Sequence, residues 1–187
     1  MTYTVKVLDI HCWPDVVSLF STNRECGLCF CMSHRVKPEN EVLGEDAKQA
    51  LHKLIESDKV CSILAYKDNL CVGWCAVDPL EEQPGHDYSF WKDAQLHPDT
   101  WSIHCLFVHP NHRGKGLSNI LIKKAIDTAK DKGAKKIIAF PIPPKMRKHF
   151  PQHDSEFSGR FSSFTKAGFK PTARINDFYE VVSLEVL

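Results

Sequence analysis

The stretch VHPNHRGKGLSNILIKKA, residues 108–125, places a proline, an arginine, a lysine and two glycines in one turn and then becomes helical. From Ser118 onward Leu121, Ile122, Ala125, Ile126 and Ala129 recur at the spacing of one helical face, and Gly133 is placed to close the helix as a left-handed cap. Before the turn, WSIHCLFVHP (101–110) is a β-rich run ended by a proline, and after the helix KKIIAF (135–140) predicts a short strand covered on both faces. The unit is strand, turn, helix, strand. Gly114 and Gly116 let the turn backbone take conformations closed to other residues, so that successive N–H groups point into one concavity. The helix N-terminus adds unsatisfied donors and partial positive charge, and Arg113 and Lys115 add full charges. A pyrophosphate matches this better than a single carboxylate. The spacing is neither that of a Walker loop nor that of the G-x-G-x-x-G turn of dinucleotide folds.

Working outward, TYTVKVL (2–8) alternates like a half-buried strand, and WPDVVSLF (13–20) follows as a helix with Pro14 in its first turn and Asp15 near its positive end. ECGLCFCMSHRV (25–36) reads as a strand after a tight loop. In GEDAKQALHKLIESDK (44–59), Ala47, Ala50, Leu51, Leu54 and Ile55 form a helical face. CSILAYKDNLCVGWCAVDP (61–79) predicts a hairpin turning at Asp68 and Asn69, with Gly73 inside a strand marking a close approach by backbone or ligand. Residues 80–100 and 141–158 are polar or proline-bearing loops, GRFSSFTKAG (159–168) is a short helix ended by Gly168, and FYEVVSLEV (178–186) is a closing strand. This mixed order predicts an α/β sheet that is partly antiparallel, with helices on both faces.

Bulk composition narrows the function. At 187 residues the chain suits one domain spanning 1–187. Lys plus Arg total 24 against 23 for Asp plus Glu, a formal charge of +1, so the basic excess of a nucleic-acid binder is missing. No apolar run reaches the roughly 20 residues of a membrane span, and the start of the chain has no secretory pattern, so a cytoplasmic protein without a membrane partner is expected. Eight cysteines then read as reduced thiols.

The turn and its context resemble the GNAT superfamily of N-acetyltransferases, in which a strand ending near V-x-P is followed by Arg or Gln, x, x, Gly, x, Gly or Ala and a helix. Val108, Pro110, Arg113 and Gly116 match, and Ser118 replaces the last small residue. CVGWCAV (71–77) is similar to the family strand preceding the donor-binding one, and FTKAGF (164–169) to its late helix end. The resemblance implies a twisted mixed sheet with a splayed central strand pair holding acetyl-CoA as cosubstrate. By position, Phe107 and Val108 would contact the pantetheine arm and thioester, and Arg113, Gly114, Lys115, Gly116, Leu117 and Ser118 the pyrophosphate. A strand N–H near the thioester oxygen would stabilise the developing oxyanion. The implied reaction is direct attack by a primary amine of a small molecule or peptide on the thioester, in a ternary complex. A homodimer is compatible with it.

Such attack needs a proton sink. His104, four residues before Val108 where many family members carry a glutamate, is the catalytic candidate, and a structural imidazole on a strand face is the alternative. The family's tyrosine acid falls on Phe164, which has no proton to give; Ser163, Thr165 and Tyr179 are the nearby hydroxyls, and a thiol of pKa about 8.5 is a tolerable leaving group without help. Cys26, Cys29, Cys31 and His34 invite a zinc reading, but on a strand Cys29 and Cys31 would point the same way, which suits buried or substrate-lining thiols and no metal. Cys61, Cys71, Cys75 and Cys105 read as small core residues. Trp13, Phe30 and Trp91 could wall an acceptor pocket or simply pack. KMRKHF (145–150) reads as solvated charge. Two rival readings stay open: a CoA-binding or thiol-based redox-sensing module without turnover, and an enzyme acting on protein lysines or N-termini.

Overall fold

The computed structural model describes residues 2–85, 98–143, 157–174 and 180–186. Seven strands form one sheet, in the spatial order β1 (Thr4–Val7), β2 (Ser62–Lys67), β3 (Leu70–Pro79), β4 (Thr100–Val108), β5 (Lys136–Ala139), β7 (Glu180–Glu185), β6 (Lys170–Arg174). Every neighbouring pair is antiparallel except β4 and β5. The β2–β3 hairpin turns on Asp68 and Asn69 at φ of 50° and 65°, the left-handed pair that a two-residue hairpin with native twist requires.

Strand alternation divides the core between two faces. Ile63, Ala65, Cys75, Val77 and Ile103 point to the face covered by helices α4 (Leu117–Asp131) and α5 (Phe161–Lys166). Leu64, Trp74, Ala76 and Phe107 point to the other, covered by α1 (Trp13–Ser21), α2 (Arg24–Cys29) and α3 (Glu45–Glu56). The predicted apolar stripe of α4 is the buried one: Leu121, Ile122, Ala125 and Ala129 are all sealed, and Gly133 closes the helix at φ 92°. Gly73 is the contact point. A Cβ there would stand 3.0 Å from Leu121 Cδ1 and 3.2 Å from the Ala65 Cβ, so the close approach foreseen at this glycine is by helix α4 and not by a ligand.

Two expectations are corrected. Residues 25–36 do not form a strand: Asn23 caps α2 by accepting the Cys26 N–H at 2.9 Å, and the helix ends on Phe30 and Cys31, both left-handed at φ 41° and 56°. With a left-handed turn between them, Cys29 and Cys31 are not same-face strand neighbours. The missed signal was the Asn cap; six residues are too few to show an amphipathic period. Strand β6 was also not foreseen, because Pro171 and three exposed leading residues hide it, as the sheet edge permits. Trp91, Tyr179 and the run 145–150 lie outside the described residues.

Candidate active site

The sheet is built to open beside the turn. β4 pairs with β5 only from Thr100 to Ile103, opposite Lys136 to Ala139, so the second half of β4 has no β5 partner. On its other side β4 follows β3 closely, except that Val77 pairs with Ile103 and Ala76 with Cys105. His104 is the extra residue of a β-bulge, a device that bends a strand and re-aims its side chains. Bulge and splay coincide in sequence, and beyond them the strand runs on to Val108 as the wall of a cleft.

That cleft has a volume of about 520 Å³. Phe107 and Val108 line it from the strand, Arg113, Gly114 and Gly116 from the turn, and Leu117 and Ser118 from the first turn of α4. Of the proposed cofactor and catalytic residues, these seven converge there, joined by the candidate hydroxyl of Ser163; Lys115 and His104 do not line it. Gly114 and Gly116 stand at φ 73° and 81°, and nothing lies within 4 Å of a Cβ built on either. Their freedom is used for backbone shape and for an open approach to the amides. The Leu117 and Ser118 N–H groups, in the first helical turn, have no carbonyl a turn earlier to accept them. Arg113 braces the turn, its Nε donating to the Val108 carbonyl at 3.0 Å, and Lys115 Nζ donates to the Asn111 carbonyl at 2.7 Å.

Of the opposite wall, sequence reading named only Ser163. Gly159, Arg160, Ser162, Ser163 and Lys166 border the cleft from the approach to α5 and from the helix itself, adding two cations, and Leu106, His112, Asn119 and Phe157 complete the lining among the described residues. No spacing signal joins residues 108–118 to 157–166; the splay does. The Leu106 N–H donates to the Phe157 carbonyl at 2.7 Å, so the α5 approach takes the place beside β4 that β5 has vacated. Phe164 is wholly buried, edge to face with Phe169 at 5.3 Å. It is core. Thr165 is exposed and donates its hydroxyl to the Ser162 carbonyl at 3.3 Å, which leaves Ser162 and Ser163 as the α5 hydroxyls on the cleft.

His104 sits in a stack of rings, with His34 at 5.0 Å on one side and Phe140 at 4.9 Å on the other. On the α1–α3 face, Cys31, Arg35, Trp74 and Asp78 form a buried polar cluster. Cys31 Sγ accepts the Trp74 indole N–H at 3.3 Å, Arg35 Nε donates to the Cys31 carbonyl at 3.2 Å, and the Arg35 guanidinium meets Asp78 at 2.7 Å. Asp78 also accepts the Cys61 N–H at 2.7 Å. Burial pushes the Cys31 thiol up, but the Cys105 S–H, the Arg35 charge and the Trp74 N–H outweigh it and hold this thiol below its usual range. Cys105 keeps its proton for the same reason: its hydrogen bond to Cys31 and its burial raise it well above a normal thiol. Cys29 is pushed up to about 11, chiefly by burial, and burial raises Cys26 further. Among the described residues no group of three or more His, Cys, Asp or Glu is arranged to hold a metal ion. Nor is any described helix long and apolar enough to cross a membrane.

The family model described as "Acetyltransferase (GNAT) family" matches residues 27–146, which contain β4, the glycine turn and α4. The chain belongs to the GNAT acetyltransferase family. No curated protein matches it at a significant level. Solved GNAT structures repeat its fold at low identity. An N-acetyltransferase from Staphylococcus aureus Mu50 is 12% identical over 99% of both chains, with a TM-score of 0.58. The Salmonella typhimurium protein yncA, solved with its cofactor acetyl-CoA, is 14% identical over 99% of this chain and 94% of its own, with a TM-score of 0.60. The PaiA N-acetyltransferase of Thermoplasma acidophilum, in complex with coenzyme A, is 11% identical over the whole of both chains, with a TM-score of 0.54. At such identities the likeness is one of fold. The GNAT sheet expected from sequence, mixed, flanked by helices on both faces and splayed at its centre, is the sheet observed.

Proposed function

We propose that this GNAT protein transfers an acetyl group from acetyl-CoA to a primary amine of a small molecule or peptide, by direct attack within a ternary complex. The observation that carries the proposal is the convergence on one cleft of the released half of β4 and the open glycine turn. Acetyl-CoA fits the donor set: the N–H groups at Gly114 to Ser118 with Arg113 suit the diphosphate, Lys115 adds its charge from outside the lining, and the strand edge at Phe107 and Val108 suits the pantetheine arm. Acetyl-CoA supplies the activated acyl group, and everything else falls to residues of this chain. Direct transfer is supported by the absence of any cysteine among the described residues that line the cleft. A thiol near pKa 8.5 can depart without an acid, which agrees with a Phe164 given over to packing.

His104 is our assignment for the base. The bulge sets it apart from the strand's pairing register, one residue before Cys105 and two before the first cleft residue, Leu106, so a proton would reach it through water. Thiol release from acetyl-CoA across a panel of amines tests the function. Release that depends on an amine is expected, and binding of CoA with no turnover on any amine would instead favour a binding module. His104→Ala should lower turnover about a hundredfold near neutral pH and flatten the acidic limb of the profile. An unchanged profile removes His104 from the mechanism.

A further inference from the structure

The cleft carries an imidazole that the phosphate-binding pattern does not include. His112 lines the cleft one residue ahead of Arg113, on the face that also presents Gly114 and Gly116. Its Nδ1 lies 3.2 Å from the Tyr3 hydroxyl, and its ring packs edge to face on Tyr3 at 5.9 Å and on His109 at 5.8 Å. This ring is therefore oriented from two sides. With Nδ1 engaged by Tyr3, Nε2 is the nitrogen that remains for a ligand.

The surroundings of His112 are cationic. Lys115 and His109 face it from its own turn and Lys67 from the β2–β3 hairpin, and Asp68 of the same hairpin is the acidic group among them. Partial burial and then these cations hold His112 below the ordinary histidine range, which favours its neutral form in the free protein. An anion docked on the glycine turn reverses this balance. An opposite charge within about 4–6 Å raises an imidazole by roughly 1–3 pK units.

We propose that His112 is a proton-linked ligand of the donor's diphosphate: it takes up a proton as the diphosphate docks and then holds it through a charged N–H. This rests on the acetyl-CoA reading of the cleft. No covalent bond changes; one proton moves from solvent to His112. The sign follows from linkage. His112 contributes no proton-linked affinity above its pKa in the complex, and it contributes fully below its pKa in the free protein. The gain therefore appears as pH falls through the value in the complex, is complete below the lowered value of the free protein, and amounts to about tenfold in affinity for each unit by which docking raises His112. Proton uptake itself is largest between the two values.

The test is calorimetric titration with 3′-dephospho-CoA, which keeps the diphosphate and lacks the 3′-phosphomonoester that would itself titrate near pH 6. Measuring heats in buffers of different ionisation enthalpy gives the number of protons taken up per ligand bound. A fraction of a proton is expected near pH 6.5, lost in His112→Gln and retained in His109→Gln. His112→Lys, with a permanent charge at the same place, should bind at pH 8 at least as tightly as the parent, without uptake. Equal uptake in parent and His112→Gln overturns this inference alone. Absence of binding at every pH overturns the donor-site reading and this inference with it.

Discussion

Two regions of this molecule each gather a guanidinium, backbone groups and nearby soft or polar atoms, and they are built for opposite ends. In the buried polar cluster, the Arg35 and Asp78 side chains are 2% and 1% exposed and lie 2.7 Å apart, with Cys31, Cys61 and Trp74 completing the arrangement. In the cleft, Arg113 donates to a strand carbonyl, and the glycines beside it leave open space where a side chain would stand. The cluster has its counter-ion built in and is sealed by apolar side chains of the α1–α3 face. A charge so enclosed holds elements together. The cleft leaves backbone of the glycine turn open to solvent and carries the exposed Arg160 and Lys166 on its far wall, an arrangement that suits the anion we propose for it.

The comparison can be broken most forcefully at Asp78. Asp78→Ala strands the buried Arg35 charge and should cost about 3–5 kcal/mol in urea unfolding. It should act on the fold before it acts on cofactor affinity. Gly114→Val should do the reverse. At φ 73° a β-branched residue is strained, and its side chain occupies the approach to the amides, so CoA affinity should fall about a hundredfold or more, the value of one or two hydrogen bonds to a charged group. Because nothing lies within 4 Å of the added Cβ, the stability cost should stay near the 1–2 kcal/mol of the strained backbone alone. If Gly114→Val left CoA affinity intact, the contrast between the regions would collapse.

Smaller effects sharpen it. Cys31→Ala leaves the Trp74 N–H buried without its sulfur acceptor and should cost about 1–3 kcal/mol, with Cys31→Ser recovering part of that by offering an oxygen. Neither should alter CoA binding by more than a factor of about two, the effect expected of distant, independent sites. Smallest is Lys166→Ala. It removes an exposed cation from the cleft rim and should weaken CoA by only a few-fold, an effect that shrinks further as salt rises, which titration at two ionic strengths would reveal.

Much of the cleft's first wall could be read along the chain because strand, turn and helix are contiguous there. Proline at 110, glycine at 114 and 116, and an apolar stripe from Leu121 state a local backbone conformation, and local conformation is what residue types report. The second wall could not be read this way. Ser163 and Lys166 sit on a six-residue helix that the sequence marks locally, with Arg160 at its N-cap, but nothing local says that they meet the turn, which follows from β5 ceasing to pair at Ala139. The reading of Cys29 and Cys31 as same-face strand neighbours fails for a related reason: a short capped helix and two left-handed residues, not a strand, set the directions of these side chains.

What the sequence determined by itself is the kind of site. Glycines, cations beside them and an amphipathic helix behind them make up the anion cradle we propose, and each of its requirements is met within about a dozen residues. What only the tertiary structure decided is which groups share that site. The splay of β4 from β5, the bulge at His104, the burial of Phe164 and the placing of His112 against Tyr3 are relations between segments as many as 109 residues apart. Such relations follow from packing two core faces at once, and packing depends on the whole set of side chains that must fit.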